Sequence, residues 1–436
     1  MDNNELDHGR PPTPPHHPTA GVRVLRQEIE DIVKFGLPDY NLVSISQIAS
    51  GKSFNNRIYF LQLKHSVDKA SSSPGTLSQP EQVVLKVNGR FFGANKIKNE
   101  VSCLRLLQRY CPDVPSPRAL AWSEDGHVAT YATSSQTRTR LLDIPPGVEK
   151  LKHGGWILMS HIPGNPMPIA DLNDATLTDL AKQLGDIVAC LRRDIPPQKR
   201  CGNIRLPQGG IEEQSVPVAD GTALTIRDII QDGIEVDEPI TTANEYYRVR
   251  LVNKLRELKT TDVYAPNRSL IETIRAFISD QLPHLELTDG DGIPPGEFVL
   301  THYDLSARNV LVSGQPPRIT GLVDFEFAGF FPPVDEFLND DVVNEGGEWP
   351  REFYKAYLAR LHENGIATPV RGFDPSVWKR NCWLERLVGG IAPWYLPGGW
   401  KGEELQAKLR EAEADVREVL KRLIMDYDEY KERRLL

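Results

Sequence analysis

Four residues, Pro163-Gly164-Asn165-Pro166, divide this chain into two textures, and that division constrains its fold more than any other feature. Before the divide, short runs rich in β-branched and aromatic residues follow one another at 42–51, 57–63, 82–87, 119–122 and 156–159. Such runs, separated by Gly, Ser, Asn and Pro, read as strands. Val24, Ile29, Ile32 and Val33 give helical spacing over 22–36, and Val101, Leu104 and Leu107 line one face of a helix from Lys96 to Arg109. The expectation is a five-stranded antiparallel sheet with a helix, interrupted by a Ser-rich insertion at 66–82 and a polar, irregular stretch at 123–155. After the divide, helical spacing dominates, over 174–194, 223–233, 241–258, 267–282, 349–364, 374–390 and 402–434, with short strands at 298–300, 310–312 and 319–323. Strands gathered before helices indicate an α+β fold.

Composition removes several alternatives. The chain carries 51 basic against 60 acidic residues, a formal charge of -9, which disfavours a protein that coats nucleic acid. No apolar run is long enough to span a membrane, so no membrane partner is expected. The five cysteines, at 103, 111, 190, 201 and 382, form no CxxC pair and no zinc spacing. The start, Met1-Asp2-Asn3-Asn4-Glu5, lacks the basic and apolar regions of a signal peptide, so a cytoplasmic location is expected. Residues 1–20, rich in Pro and His, read as a disordered tail.

Chemistry concentrates in Leu300-Thr301-His302-Tyr303-Asp304-Leu305-Ser306-Ala307-Arg308-Asn309-Val310-Leu311-Val312 and in Ile319-Thr320-Gly321-Leu322-Val323-Asp324-Phe325-Glu326. Asp304 stands five positions before Asn309, and Asp324 leaves the end of an apolar strand. Asn309 and Asp324 offer the hard oxygens that Mg²⁺ prefers. Asp304 is suited to orient an attacking hydroxyl or to accept its proton. Upstream, Lys86 lies among apolar neighbours in a strand and needs a partner or a ligand. Glu100, on the following helix, is its natural ion-pair partner, and the pair would hold the ammonium towards phosphates. The preceding turn, with Ser50, Gly51, Lys52, Ser53, Asn55 and Asn56, offers backbone and side-chain donors to phosphate oxygens.

The order of these parts resembles the protein-kinase-like superfamily, and within it the aminoglycoside phosphotransferase/choline kinase branch. The segment HYDLSARN is similar to that branch's H-G-D-x-x-x-x-N, and Asp324-Phe325-Glu326 to its D-F/W-E. No A-P-E motif follows Asp324, and VPSPRALAW, WILMSHIPG and DFEFAGFFPP look like fungal phosphotransferase-enzyme-family sequences. The resemblance covers about residues 40–400. It implies a bilobal fold: a nucleotide-binding N-lobe at 21–162, a mainly helical C-lobe at 163–400 that is catalytic and binds the acceptor, and a C-terminal helix at 401–436.

It also implies roles. Asp304 is the catalytic aspartate, and Asn309 and Asp324 hold Mg²⁺. Lys86 contacts the ATP phosphates and is held by Glu100. Ser50, Gly51, Ser53 and Asn55 cover the phosphates, Met159 borders the adenine, and the backbone of Ser160 to Ile162 supplies hinge hydrogen bonds. The implied activity is transfer of the γ-phosphoryl group from ATP to a hydroxyl of a small molecule. Two departures stand out: Tyr303 replaces the usual Gly after the loop histidine, and Gly51 is alone in the nucleotide loop. They keep open a pseudokinase that binds nucleotide without turnover; a protein kinase is the other alternative. The acidic Asp335, Glu336, Asp340 and Asp341 read equally as a solvated loop or as an attraction for a cationic substrate, and Trp394, Tyr395 and Trp400 as packing or as a surface for a ring or alkylammonium.

Overall fold

Side chains alternate across a strand, so one strand can serve two cores, and the central strand of this protein does so. In the computed structural model, the described residues are 17–435 except 23, 49–52, 67–80, 91–92, 127, 133–136, 142–154, 206–215, 218–222, 289–295 and 339–348. Most of the expected tail and of the 66–82 insertion, with Ser50, Gly51, Asp340 and Asp341, lie outside them. The chain forms two units. The first comprises residues 1–168, 204–225 and 306–328; the second, 169–203, 226–305 and 329–436.

The first unit begins with α1 (Arg26–Gly36), followed by β1 (Tyr40–Gln47), β2 (Asn56–His65), β3 (Glu81–Asn88), α2 (Ala94–Tyr110), β4 (Ala119–Ser123), β5 (Val128–Ala132), β6 (Thr137–Leu141) and β7 (Trp156–Ser160). The strands make one antiparallel sheet in the order β1-β2-β3-β7-β4-β5-β6. Val83, Leu85 and Val87 of β3 pack with Tyr59, Leu61 and Leu63 of β2 and with Ile29, Ile32 and Val33 of α1. On the other face, Val84, Trp122, Ile157 and Met159 meet Ile97 and Val101 of α2. Each fully buried side chain of this kind contributes about 1.5–3 kcal/mol. The register of β1 slips between Leu42 and Ser44, leaving Val43 as an extra residue that is 53% exposed.

The sheet corrects the expectation of five strands, because among the described residues it has seven. The five expected strands are present, and β5 and β6 come from the stretch read as irregular. Strand β6 is the sheet's edge, and its sequence, Thr-Arg-Thr-Arg-Leu, has no alternating apolar face. An edge strand needs only one partner and tolerates charge, which hides it from a hydrophobic pattern. The Pro-Gly-Asn-Pro divide also carries structure. Asn165–Pro166, the short strand β8, pairs with Val312 and Leu311 of the hairpin Val310–Ser313/Arg318–Leu322.

The second unit is mainly helical: α3 (Asp174–Asp194), α4 (Ala243–Thr260), α5 (Ile271–Asp280), α6 (Asp335–Leu338), α7 (Arg351–Glu363), α8 (Pro375–Gly390), α9 (Leu396–Gly399) and α10 (Gly402–Leu435). Asn173, Thr242 and Asp374 cap α3, α4 and α8 by accepting hydrogen bonds from first-turn amides. At Gly185 of α3 a Cβ would lie 2.9 Å from Cβ of Arg360, so a glycine lets α7 approach closely. The long α10 packs on α8, burying Leu409, Val416, Leu420 and Leu423. The helix expected at 223–233 is instead a strand at Ala223–Arg227 and a short 3₁₀ turn at Ile230–Asp232. Leu224 and Ile226 are both buried, a spacing of two that overrides the short helical pattern. No helix among the described residues is long and apolar enough to cross a membrane.

Candidate active site

Because Val83, Leu85 and Val87 face α1, Lys86 faces α2, which carries Glu100. The Lys86 ammonium lies 2.6 Å from Glu100 Oε2, 2.5 Å from Asp324 Oδ1 and 2.8 Å from Glu326 Oε2. The side chains of Lys86, Glu100 and Glu326 are at most 5% exposed, whereas that of Asp324 is 31% exposed. The pairing of Lys86 with Glu100 is thus present, and Asp324 joins it.

Asp324 follows the strand Arg318–Leu322 and takes a left-handed backbone, φ 68° and ψ 56°. That region is costly for a residue with a side chain, and Asp tolerates it better than most. The turn that follows, Phe325–Phe327, turns Glu326 inward. Asn55 Nδ2 donates to Glu326 Oε1 at 2.9 Å, and Asn56 Nδ2 to Oε2 at 2.6 Å. Lys96 Nζ lies 3.3 Å from Glu326 Oε2 and donates to Asn56 Oδ1 at 2.8 Å. Asn99, also on α2, donates to the carbonyls of Glu326 and Ala328 at 2.9 and 2.8 Å.

Charge explains the arrangement. Burial alone would lower the Lys86 pKa, but Asp324, Glu100 and Glu326 outweigh it and hold the ammonium charged well above the usual lysine range. Burial pushes Glu100 up to about 7 against the pull of Lys86. Burial would also raise Glu326, yet Lys86, Lys96 and the Asn56 amide hold it well below the usual range. Burial lowers Lys96, with Glu326 opposing. The three carboxylates Glu100, Asp324 and Glu326 bring oxygens within 4.8 Å of one another, but Lys86 already occupies that cluster. The oxygens better suited to a hard cation are those of half-exposed Asp324 and of Asn309. Asn309 is buried, and its carbonyl accepts the amide of Val323, next to Asp324. The donor chemistry fits Mg²⁺.

The remaining expected residues of this unit are dispersed along it. Met159 is buried on the Lys86 face of the sheet. Ser160 is tied to Arg118: its amide donates to the Arg118 carbonyl at 2.9 Å, and its Oγ accepts the Arg118 amide at 2.8 Å. Ile162 lies against Gly321, where a Cβ would fall 2.5 Å from Ile162 Cγ2. Ser53 is half-buried just before Asn55. Sequence reasoning gave Glu326, Lys96 and Asn99 no role. Glu326 was visible as the last residue of the Asp-Phe-Glu motif, whereas nothing in the sequence marked Lys96 or Asn99.

Asp304 belongs to the second unit, in the loop after the strand Val299–Thr301. Its amide points at His302 Nδ1, 3.4 Å away, and the His302 amide donates to Glu336 Oε2 at 2.9 Å. His302 is buried and braces the loop. Tyr303, standing where the resembling family has glycine, takes the left-handed φ of 69° that glycine adopts without strain, and its ring packs on Phe331 at 5.1 Å. Asp335 and Glu336 are buried rather than solvated. Tyr246 donates to Asp335 Oδ2 at 2.7 Å, and Arg192 lies 3.5 Å from Glu336 Oε2. Burial, reinforced by Glu385 and opposed by Arg250, pushes the Asp335 carboxyl up to about 7. Trp394 is 72% exposed and Tyr395 49%, with Tyr395 edge-on to both Trp394 and Trp400.

The sequence signature of the phosphotransferase enzyme family matches residues 75–373. Among solved structures, the streptomycin-ATP-APH(2'')-IIa ternary complex superposes with a TM-score of 0.50 at 14% identity, covering 89% of this chain and 96% of that one. The gentamicin-APH(2'')-IIa complex gives the same score and identity over 90% and 96%. ADP-bound APH(2'')-Ib gives 0.49 at 15% identity over 91% and 99%. At such identities the likeness is one of fold, and the fold is the expected protein-kinase-like α+β architecture. No curated protein matches the sequence.

Proposed function

The chain belongs to the phosphotransferase enzyme family, and from that premise we propose that it is an ATP-dependent kinase of a small molecule bearing a hydroxyl group. The observation that supports this most directly is the buried Lys86, held charged by Glu100 at 2.6 Å and by Asp324 at 2.5 Å. A lysine so fixed presents a permanent positive charge to a triphosphate.

In this reading Lys86 binds the phosphates of ATP and Glu100 keeps it in place. Ser50, Gly51, Ser53 and Asn55 cover the phosphates, while Met159 and the backbone of Ser160 to Ile162 border the adenine. Asn309 and Asp324 would hold Mg²⁺, which when bound neutralises charge on the phosphate oxygens. Asp304 orients the acceptor hydroxyl and takes its proton as the oxygen attacks the γ-phosphorus. The bond from that phosphorus to the bridging oxygen breaks, and ADP departs with the electron pair. Positioning and charge carry the reaction, because phosphoryl transfer needs little covalent help from the protein. The five cysteines are free thiols, which together with ATP as co-substrate supports a cytoplasmic location.

The test is incubation of the protein with Mg-ATP and a fractionated pool of hydroxyl metabolites, beside the Asp304→Asn variant. Mass spectrometry would reveal a product heavier by a phosphoryl group, made by the wild type. The variant should bind ATP and lose turnover by about 10²–10⁴. Near-normal turnover in the variant would sink the role given to Asp304.

A further inference from the structure

Asn99 is fully buried, one residue before Glu100, and its side chain is engaged at both ends. Nδ2 donates to the carbonyls of Ala328 at 2.8 Å and Glu326 at 2.9 Å, with that of Phe325 at 3.5 Å. Oδ1 accepts the backbone amide of Ile204 at 2.7 Å. A helix interior rarely hosts such a residue without a reason, since Asn favours caps and turns.

The reason lies in what it grips. The carbonyls at the end of a short 3₁₀ turn have no partner within the turn. Around Phe325–Phe327 the carbonyls of Glu326 and Ala328 turn towards α2, where Asn99 donates to both and the Cys103 thiol donates to that of Ala328 at 3.6 Å. The turn starts immediately after Asp324, whose left-handed φ of 68° persists only if the surroundings over-determine it. Helix α2 therefore addresses this loop in three ways. Lys96 meets the Glu326 carboxylate, Asn99 takes the backbone, and Glu100 reaches Asp324 through Lys86. Of the three, Asn99 is the one that grips the backbone of the turn immediately following Asp324.

We infer that Asn99 is a positioning residue, which locks the Asp324 backbone and thereby aims its carboxylate. The inference rests on the proposed kinase reading for its kinetic consequence, but not for its structural one. Asn99→Ala removes both donors. Leu107→Ala, eight residues further along the same helix and equally buried, removes packing and none of the hydrogen bonds that Asn99 makes to the loop. Two readouts are compared in the full-length protein. In hydrogen exchange, Asn99→Ala should lose amide protection over 325–328, while Leu107→Ala keeps it at a comparable drop in Tm. In steady-state kinetics, the Mg²⁺ concentration for half-maximal turnover should rise 10–100-fold in Asn99→Ala with the acceptor KM unchanged, the range seen when a partner that orients a metal ligand is removed. Leu107→Ala should leave that concentration alone.

Equal loss of loop protection in the two variants, or an unchanged Mg²⁺ requirement in Asn99→Ala, would reduce Asn99 to a structural polar residue and overturn the inference. If Asn99→Ala does not fold, Asn99→Ser, which keeps one donor, is read by the same criteria. A wild type without turnover on any acceptor would overturn the kinase reading instead, and loop protection would still decide the role of Asn99.

Discussion

Replacing Asp335 by Asn should stabilise the protein at pH 8 but not at pH 4.5. Asp335 is 2% exposed, and its carboxyl is raised from 3.8 to about 7, chiefly by burial and by the neighbouring Glu385. A raised carboxyl binds its proton more tightly in the folded chain than in the unfolded one. Stability therefore declines as pH climbs from the unfolded value to the folded one, and the full penalty is present above the latter. The interval is roughly three units, and at about 1.36 kcal/mol per unit the penalty reaches about 4 kcal/mol. At pH 4.5 it is only about 1 kcal/mol by the same arithmetic. Asparagine keeps an acceptor for the Tyr246 hydroxyl, 2.7 Å from Oδ2, and carries no charge to bury. Its amide brings donors whose burial costs about 1–3 kcal/mol, but that cost is the same at every pH. The diagnostic is the change: urea unfolding at pH 4.5 and pH 8 should show the variant gaining about 3 kcal/mol on the wild type between the two. A difference independent of pH, or one that shrinks as pH rises, would refute the assignment of a buried, raised carboxyl.

Two further outcomes follow from packing and charge. Lys86→Met leaves Glu100 and Glu326 buried with Lys96 as the only remaining cation of the cluster, so it should destabilise the protein by about 3–5 kcal/mol and abolish ATP-dependent turnover, checked by denaturant melts and product mass. Leu420→Ala in α10 should cost about 2–5 kcal/mol in the same melts with the acceptor KM unchanged, because that side chain is buried in the second unit's own core.

The parts of this fold that were legible in the sequence are those where burial and periodicity agree. Strand β2 alternates from Tyr59 to Leu63, β3 is a near-continuous apolar run, and Asn173, Thr242 and Asp374 stand just ahead of helices at nearly the expected positions. The Lys86–Glu100 pair was legible because a strand lysine among apolar neighbours and a glutamate on the next helix face each other across one layer. Strand β6 was illegible because an edge imposes no apolar pattern. Residues 223–227 were misread because a buried strand and a short helix share the same apolar count. Lys96 and Asn99 were missed for a different reason. A polar residue on a helix ordinarily marks the solvent face, and here both are fully buried. Their identity makes sense only once the loop at 324–328 is folded against them, through contacts more than two hundred residues distant in sequence.

The bulge at Val43 bears on how the molecule behaves in crowded company. Among the described residues strand β1 ends the sheet, and an outermost strand presents backbone groups that can template a second chain. Docking such a chain requires an uninterrupted ladder in which every other amide points outward. The slip between Leu42 and Ser44 breaks that rhythm midway along the strand, so an incoming strand could match one half or the other but not both. A single surplus residue thus works against ladder formation between this margin and that of a second copy.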